Sequence, residues 1–214
     1  MSNTVIIYFT RHAESIANRN SARPHPNLKP HAFLDATLSG NGYAQVIENR
    51  AKKLEQIGKA DFIFCSPLKR AIQTCLLTYN TNQIDSNIYL LPLLMEFDKT
   101  FECEGVPVPQ LLSDPELLTY ENSTKLNCDY FWTSNPNKTT GEWYNLDFRY
   151  NLHGRIEQFF QLLKNKEFTN KTLHVYSHAG FIGNIPGFNQ NIHNYHTVKV
   201  TFNQDTNDLL TEIL

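Results

Sequence analysis

Two arginines, two histidines and one glutamate recur at one kind of place in this chain. Arg11 and His12 end the apolar run Ile6-Ile7-Tyr8-Phe9. Arg70 comes shortly after Phe62-Ile63-Phe64-Cys65, Glu96 after Ile88 to Leu91, and His178 after Thr172 to Tyr176. Short apolar, β-branched or aromatic runs read as buried strands. In open α/β sheets, ligands bind beyond the carboxyl ends of the strands. A polar pair after one strand reads equally as a solvated strand end; four such places together point to a site. Guanidinium groups carry forked donors that match phosphate oxygens. A neutral imidazole beside two of them could attack phosphorus, because a positive field lowers its pKa and keeps the lone pair free. A second histidine could donate to the transferring group. A carboxyl group kept protonated by burial could give its proton to the leaving oxygen.

Positioning such a set requires alternating strands and helices around a mostly parallel sheet, whose carboxyl ends share one edge. The sequence supplies them. Residues 4–10 form the first strand, and a short helix is expected over Ala13 to Asn20 with Glu14 in its first turn. Residues 21–36, with three prolines, His25 and His31, read as a long loop. Tyr43, Val46, Ile47, Arg50, Ala51, Leu54 and Ile57 mark one helix face, with Ser39 as N-cap and Gly58 as stop. Asp61 to Cys65 is the second strand, and Pro67 suits the first turn of the helix that follows. Ile88 to Leu91 is the third strand. Residues 99–148 read as an irregular insertion of short helices over one sheet edge, with Tyr130, Phe131, Trp132, Trp143 and Tyr144 as satellite core. Phe148, Leu152, Ile156, Phe159, Phe160 and Leu163 mark another helix. Thr172 to Tyr176 is the fourth strand, and His196 to Phe202 with Asp208 to Leu214 form a closing hairpin. No internal repeat or linker divides the 214 residues, so one domain over 1–214 is expected.

Composition narrows the class. A hydrophobic content of 41% and a net charge of -2 fit a globular protein without polyelectrolyte character. Lys52-Lys53 and Lys164-Asn165-Lys166 are too short for a nucleic-acid footprint. No run approaches the roughly 20 apolar residues of a membrane helix, and no secretory signal is visible. Cys65, Cys75, Cys103 and Cys128 form no C-x-x-C pair and read as separate thiols of a cytoplasmic protein. The N-x-S/T triplets at Asn122, Asn137 and Asn170 then carry no meaning.

Four separated segments resemble the histidine phosphatase superfamily, phosphoglycerate mutase-like branch (branch 1). Arg11-His12-Ala13-Glu14-Ser15-Ile16-Ala17-Asn18 is similar to its R-H-G-E-S-x-x-N opening. Leu38-Ser39, Gly42 and Gln45 match L-[ST]-x-x-G-x-x-Q, and Ser66 to Thr74 matches S-P-x-x-R-A-x-Q-T. Ser177-His178-Ala179-Gly180 matches S-H-[GA]-G. The resemblance implies a three-layer α/β/α sandwich and a phosphomonoester hydrolase that works through a phosphohistidine on His12, with no metal or other cofactor. It implies that Arg11, Asn18, Arg70 and His178 bind the phosphoryl group and that Glu96 is the proton donor, with Asp98 as runner-up. The partner implied is a small phosphorylated substrate, a phosphoprotein being the alternative. Ala13 and Ala179 replace frequent glycines, and Ala17 a frequent tryptophan. The segment after Asn18 lacks the pattern of the glycolytic mutases, which favours phosphatase over mutase. Ala179 in place of aspartate argues against the acid-phosphatase and phytase branch.

Other readings compete less well. Cys65 and Arg70 have four intervening residues, one short of a cysteine phosphatase loop. A metal site from His12, His178 and Glu96 would place a cation against Arg11 and Arg70. His193 and His196 read as surface histidines. A phospho-ligand binding or regulatory module on the same fold stays open, as does a phosphoglycerate mutase-type phosphotransferase. Glu102 and Glu104, if at the pocket mouth, would repel highly anionic substrates.

Overall fold

The computed structural model describes residues 3–22, 33–80, 84–97, 101–128, 150–188 and 190–214. In chain order the elements are β1 (Thr4–Arg11), α1 (Ile16–Ala22), α2 (Gly40–Ile57), β2 (Phe62–Cys65), α3 (Lys69–Tyr79), β3 (Ile88–Leu90), α4 (Val108–Leu112) and β4 (Leu126–Asn127). Then follow α5 (Leu152–Leu162), β5 (Thr172–Ser177), α6 (Ala179–Gly183), β6 (Thr197–Asn203) and β7 (Leu209–Ile213). The seven strands make one sheet in the order β4-β3-β2-β5-β1-β6-β7. β4, β3, β2, β5 and β1 are mutually parallel, while β6 and β7 run antiparallel to their neighbours. This is the mostly parallel α/β sandwich expected.

The layers follow from side-chain alternation along strands. Val5, Ile7 and Phe9 of β1 pack with Ile156 and Phe159 of α5 and Phe181 of α6. On the other face, Val46 of α2 and Ile72, Cys75 and Leu76 of α3 pack with Ile63 and Cys65 of β2. Each fully buried large apolar side chain contributes about 1.5–3 kcal/mol. The four cysteines are unbridged thiols. Among the described residues, no helix is long and apolar enough to cross a membrane.

Four local expectations need correction. The first short helix starts at Ile16 rather than Ala13, so Glu14 is not in its first turn. Ala13 and Glu14 stay outside the helix because other segments hold their N–H groups. Ala13 N–H donates to Thr74 Oγ1 (3.0 Å), and Glu14 N–H to Gln45 Oε1 (3.0 Å). Pro67 precedes the helix, which begins at Lys69 with Leu68 as N-cap. On α2 the buried positions are Gly42, Val46, Lys53 and Ile57, whereas Ile47 is 52% exposed. The spacing of 46, 53 and 57 is helical, but it draws in a lysine. In the 99–148 segment the described part holds α4 and three 3-10 turns as expected, plus β4, which pairs parallel with β3 and was not foreseen. Residues 23–32, with His25 and His31, and Asp98, Tyr130, Phe131, Trp132, Trp143, Tyr144 and Phe148 lie outside the described residues.

Candidate active site

β1 and β5 are adjacent parallel strands in a register that sets Arg11 opposite Ser177. His12 and His178 therefore leave the sheet side by side, their ring centroids 5.1 Å apart. The backbone N–H of His12 donates to Ser177 O (2.9 Å), which ties the two turns together. Both rings are buried. Burial, then Arg70, pushes both imidazoles well below their usual pKa, with Arg11 adding to the effect. Both are neutral at physiological pH. His12 Nδ1 lies 2.7 Å from its neighbour's carbonyl, Ala13 O. Only a protonated Nδ1 satisfies that contact, so Nε2 carries the lone pair, which accepts from Arg70 Nε at 3.3 Å.

Arg70 projects from the first turn of α3. Its backbone carbonyl accepts from Thr74 Oγ1 (2.7 Å), the hydroxyl that also holds Ala13. Its guanidinium donates to Glu102 O through Nη1 and approaches Cys103 Sγ at 3.8 Å through Nη2. Arg11 donates through Nη1 to Ile192 O (2.8 Å). Arg11 Nε and His178 Nδ1 are buried with no hydrogen-bond partner among the described residues. A buried orphan donor costs about 1–3 kcal/mol, and two of them beside a neutral imidazole suit an anion with several acceptor oxygens.

Glu96 follows the 3-10 turn Pro92–Leu94. Its Oε1 accepts from Phe97 N–H and its Oε2 from Gly180 N–H, each at 3.1 Å. Any side chain at Gly180 would displace its neighbours: a Cβ there would stand 2.1 Å from Glu96 Oε1 and 2.7 Å from the Phe97 ring. Gly42 plays a similar part, because a Cβ would meet Glu14 O at 2.1 Å. That close approach lets α2 present Gln45 to Glu14 and Ser39 Oγ to the Glu14 carboxylate (2.5 Å). Neither Ala13 nor Ala179 has a positive φ, so alanine fits both glycine positions without strain.

Arg11, His12, Asn18, Arg70 and Glu96 share the wall of one open cavity of about 840 Å³ with Phe97, Glu102, Cys103, Tyr150 and Gly180. His178 is fully buried beside His12 and is not part of that wall. Asn18 Oδ1 accepts from Ser15 N–H and from Asn194 Nδ2, each at 3.2 Å, which leaves its NH₂ end for an acceptor. Of the two loop glutamates, Glu102 lines the cavity and Glu104 does not. The rings of His193 and His196 lie 5.4 Å apart, away from this wall.

Several contributors had no role assigned from the sequence. Asn194 Nδ2 also donates to His12 O (3.0 Å), and Tyr195 N–H donates to Arg11 O (3.1 Å). Arg155 is buried and donates to Leu93 O and Met95 O, which fixes the turn before Glu96. Its position among Leu152, Ile156 and Phe159 on one helix face was a signal, since a charge in an apolar stripe needs a buried partner. Ser66 Oγ accepts from Leu68 N–H (3.3 Å) and lies 2.8 Å from His178 Nε2. We assign its hydroxyl proton to Nε2, which leaves a proton on His178 Nδ1. Gln73 accepts from Leu38 N–H (2.8 Å) and donates to Glu116, joining the motif helix to the start of α2.

No curated protein sequence matches the chain. Among solved structures, a phosphoglycerate mutase from Bacillus anthracis str. Sterne is 19% identical, with a TM-score of 0.58 over 100% of this chain and 93% of that one. The ecdysone phosphate phosphatase from Bombix mori, solved with tungstate, is 12% identical, with a TM-score of 0.58 over 98% and 92%. The protein histidine phosphatase SixA, also with tungstate, is 14% identical, with a TM-score of 0.54 over 97% and 94%. At these identities the likeness concerns the fold. The family model for the histidine phosphatase superfamily (branch 1) matches residues 7–186, most of the sequence. The chain belongs to the histidine phosphatase superfamily, branch 1.

Proposed function

We propose that the chain is a phosphomonoester hydrolase that passes the phosphoryl group through His12. The observation that carries this reading is the neutral, buried His12, with Nδ1 fixed by Ala13 O and Nε2 turned to Arg70. In the first half-reaction the Nε2 lone pair forms a bond to phosphorus as the ester P–O bond breaks. Glu96 gives its proton to the departing oxygen. Arg11, Arg70, the Asn18 amide and His178 Nδ1–H take the phosphoryl oxygens, and their preorganisation lowers the barrier more as negative charge grows. In the second half-reaction water attacks phosphorus, the P–N bond breaks, Glu96 takes the water proton, and inorganic phosphate leaves.

The substrate of this reading is a small phosphate monoester. Phe97 and Tyr150 offer apolar surface for its leaving group, and Glu102 adds negative charge that disfavours bisphosphates. The reading takes 1–214 as one domain, since strands from Thr4 to Ile213 share one sheet. Four unbridged thiols fit a reducing, cytoplasmic setting.

Assay of the purified protein on an aryl phosphate, with and without chelator, tests the proposal. Turnover should resist the chelator, fall at least about a thousandfold in His12→Ala, and favour monophosphates in a substrate panel. Turnover that survives His12→Ala would sink the assignment of the nucleophile. A folded protein that binds phosphate without turnover would mark a binding module instead, and net transfer between two phosphorylated acceptors a mutase.

A further inference from the structure

A second cavity, about 330 Å³, lies between α2 and the approach to β6. Its wall includes Asn49, Lys52, Lys53 and Gln56 of α2 with Asn194, His196 and Leu214, the last residue of the chain, and no aspartate or glutamate side chain. Lys53 is the unusual member. It occupies a buried position of α2 and is only 8% exposed. Lysines on helices ordinarily bury their stems and keep the ammonium in water. Here the ammonium gives one hydrogen bond, to Thr197 Oγ1 at 2.7 Å, and stands 4.5 Å from the centre of the Tyr195 ring. Among the described residues no carboxylate lies within ion-pair distance of it. A lysine ammonium has three donors, and a buried charge without a counter-ion is costly. Burial draws its pKa down to about 8. The pKa of His196 is lowered by burial first, then by His193 and Lys53.

We propose that this cavity is a second oxyanion site, in which Lys53 and Lys52 bind a small dianion such as phosphate, with the Asn49, Gln56 and Asn194 amides as neutral donors. The polar wall, with two lysines and no aspartate or glutamate side chain, and the volume suit a phosphate group, either as the free ion or on a small metabolite. The site backs directly onto the catalytic turn. Thr197 Oγ1 also contacts Thr10 Oγ1 (2.8 Å), the residue before Arg11. Tyr195, under the ammonium, holds Arg11 O and His12 O through its N–H from a left-handed backbone conformation (φ 60°). An anion on Lys53 would therefore act two residues away from the nucleophile. The proposal does not depend on the chain being a phosphatase.

Site-specific amine labelling of the native protein tests it. Lysines are acetylated briefly with acetic anhydride, and modification at Lys53 is read by peptide mass spectrometry. Inorganic phosphate at ten times its dissociation constant should slow Lys53 labelling about tenfold, while chloride at matched ionic strength should not. A parallel arm with glycerol phosphate separates free phosphate from a phosphorylated metabolite. In Lys53→Met, calorimetry should show one class of phosphate site fewer than in the parent protein. Labelling that phosphate and chloride slow equally would overturn the proposal. So would a Lys53 that stays unlabelled under every condition, since its amine would then be closed off from the cavity.

Discussion

The two strand ends that carry the histidines are alike in position and opposite in detail. β1 and β5 are neighbours in register, and each delivers a buried, neutral imidazole immediately after its last residue. His12 is anchored through Nδ1, to the Ala13 carbonyl, and presents Nε2. His178 is anchored through Nε2, to Ser66, and presents Nδ1. One ring thereby offers a lone pair and the other a proton. Nothing in the residue type decides this. The partner of the buried nitrogen does, a carbonyl that can only accept in one case and, in the other, a hydroxyl to which we assign the donor role. The difference separates nucleophile from donor within 5.1 Å, measured between ring centres.

Among changes that spare both histidines, the largest expected disturbance comes from the glycine beside the second turn. Gly180→Ala pushes a methyl group into Glu96 Oε1 and the Phe97 ring while leaving both histidines in place. Misplacing a reacting group by about 1 Å can cost about a hundredfold. Turnover of an alkyl phosphate, whose leaving oxygen needs a proton, should fall by about that factor. Turnover of a nitrophenyl phosphate, whose leaving group needs little help, should fall much less. Equal losses on both substrates would detach Glu96 from the role of acid.

Ser66→Ala reaches the comparison itself. Without the hydroxyl, His178 Nε2 loses its donor and the ring is free to carry its proton there. The rate should fall about tenfold, Ser66→Thr should restore most of it, and nitrogen NMR should show His178 changing tautomer while His12 does not. An unchanged tautomer would show that Ser66 is not what distinguishes the two rings.

The smallest effect is on stability. His12, His178 and His174, the last lowered by burial to about 4, stay neutral in the fold but charge near pH 6.5 once unfolded. Below that pH the unfolded chain binds more protons, so stability is present above about pH 6.5 and is lost as pH falls. Asp35, raised by burial to about 7, acts with the opposite sign. Three protons against one leave a net slope of about 2–3 kcal/mol per pH unit at most. Urea denaturation at pH 7 and pH 5.5 measures it, and flat stability between them would contradict three neutral buried histidines.

Much of this was legible from the chain alone because periodicity and site chemistry reinforced each other. Arg11, His12, Arg70, Glu96 and His178 each follow a strand whose apolar run is unambiguous, and a parallel sheet gathers such ends. The glycine and glutamine of the α2 entry were visible as a pattern, but their purpose needed coordinates: Gly42 and Gln45 clasp Glu14. Asn194 and Tyr195 gave no signal, because a polar segment before a hairpin looks like any other. β4 is two residues long, below what alternation can reveal. Lys53 was hidden by its neighbour Lys52, since a pair of lysines reads as a solvated face.

The central claim is that Nε2 of His12 carries the phosphoryl group. The most direct measurement quenches the enzyme during turnover of a labelled phosphate monoester, isolates the acid-labile, alkali-stable phosphopeptide, and identifies the phosphohistidine isomer by phosphorus and nitrogen NMR. Phosphate on Nε2 of His12, with none on His178, is the predicted result. Phosphate on Nδ1 of either ring, or on His178, would contradict the account.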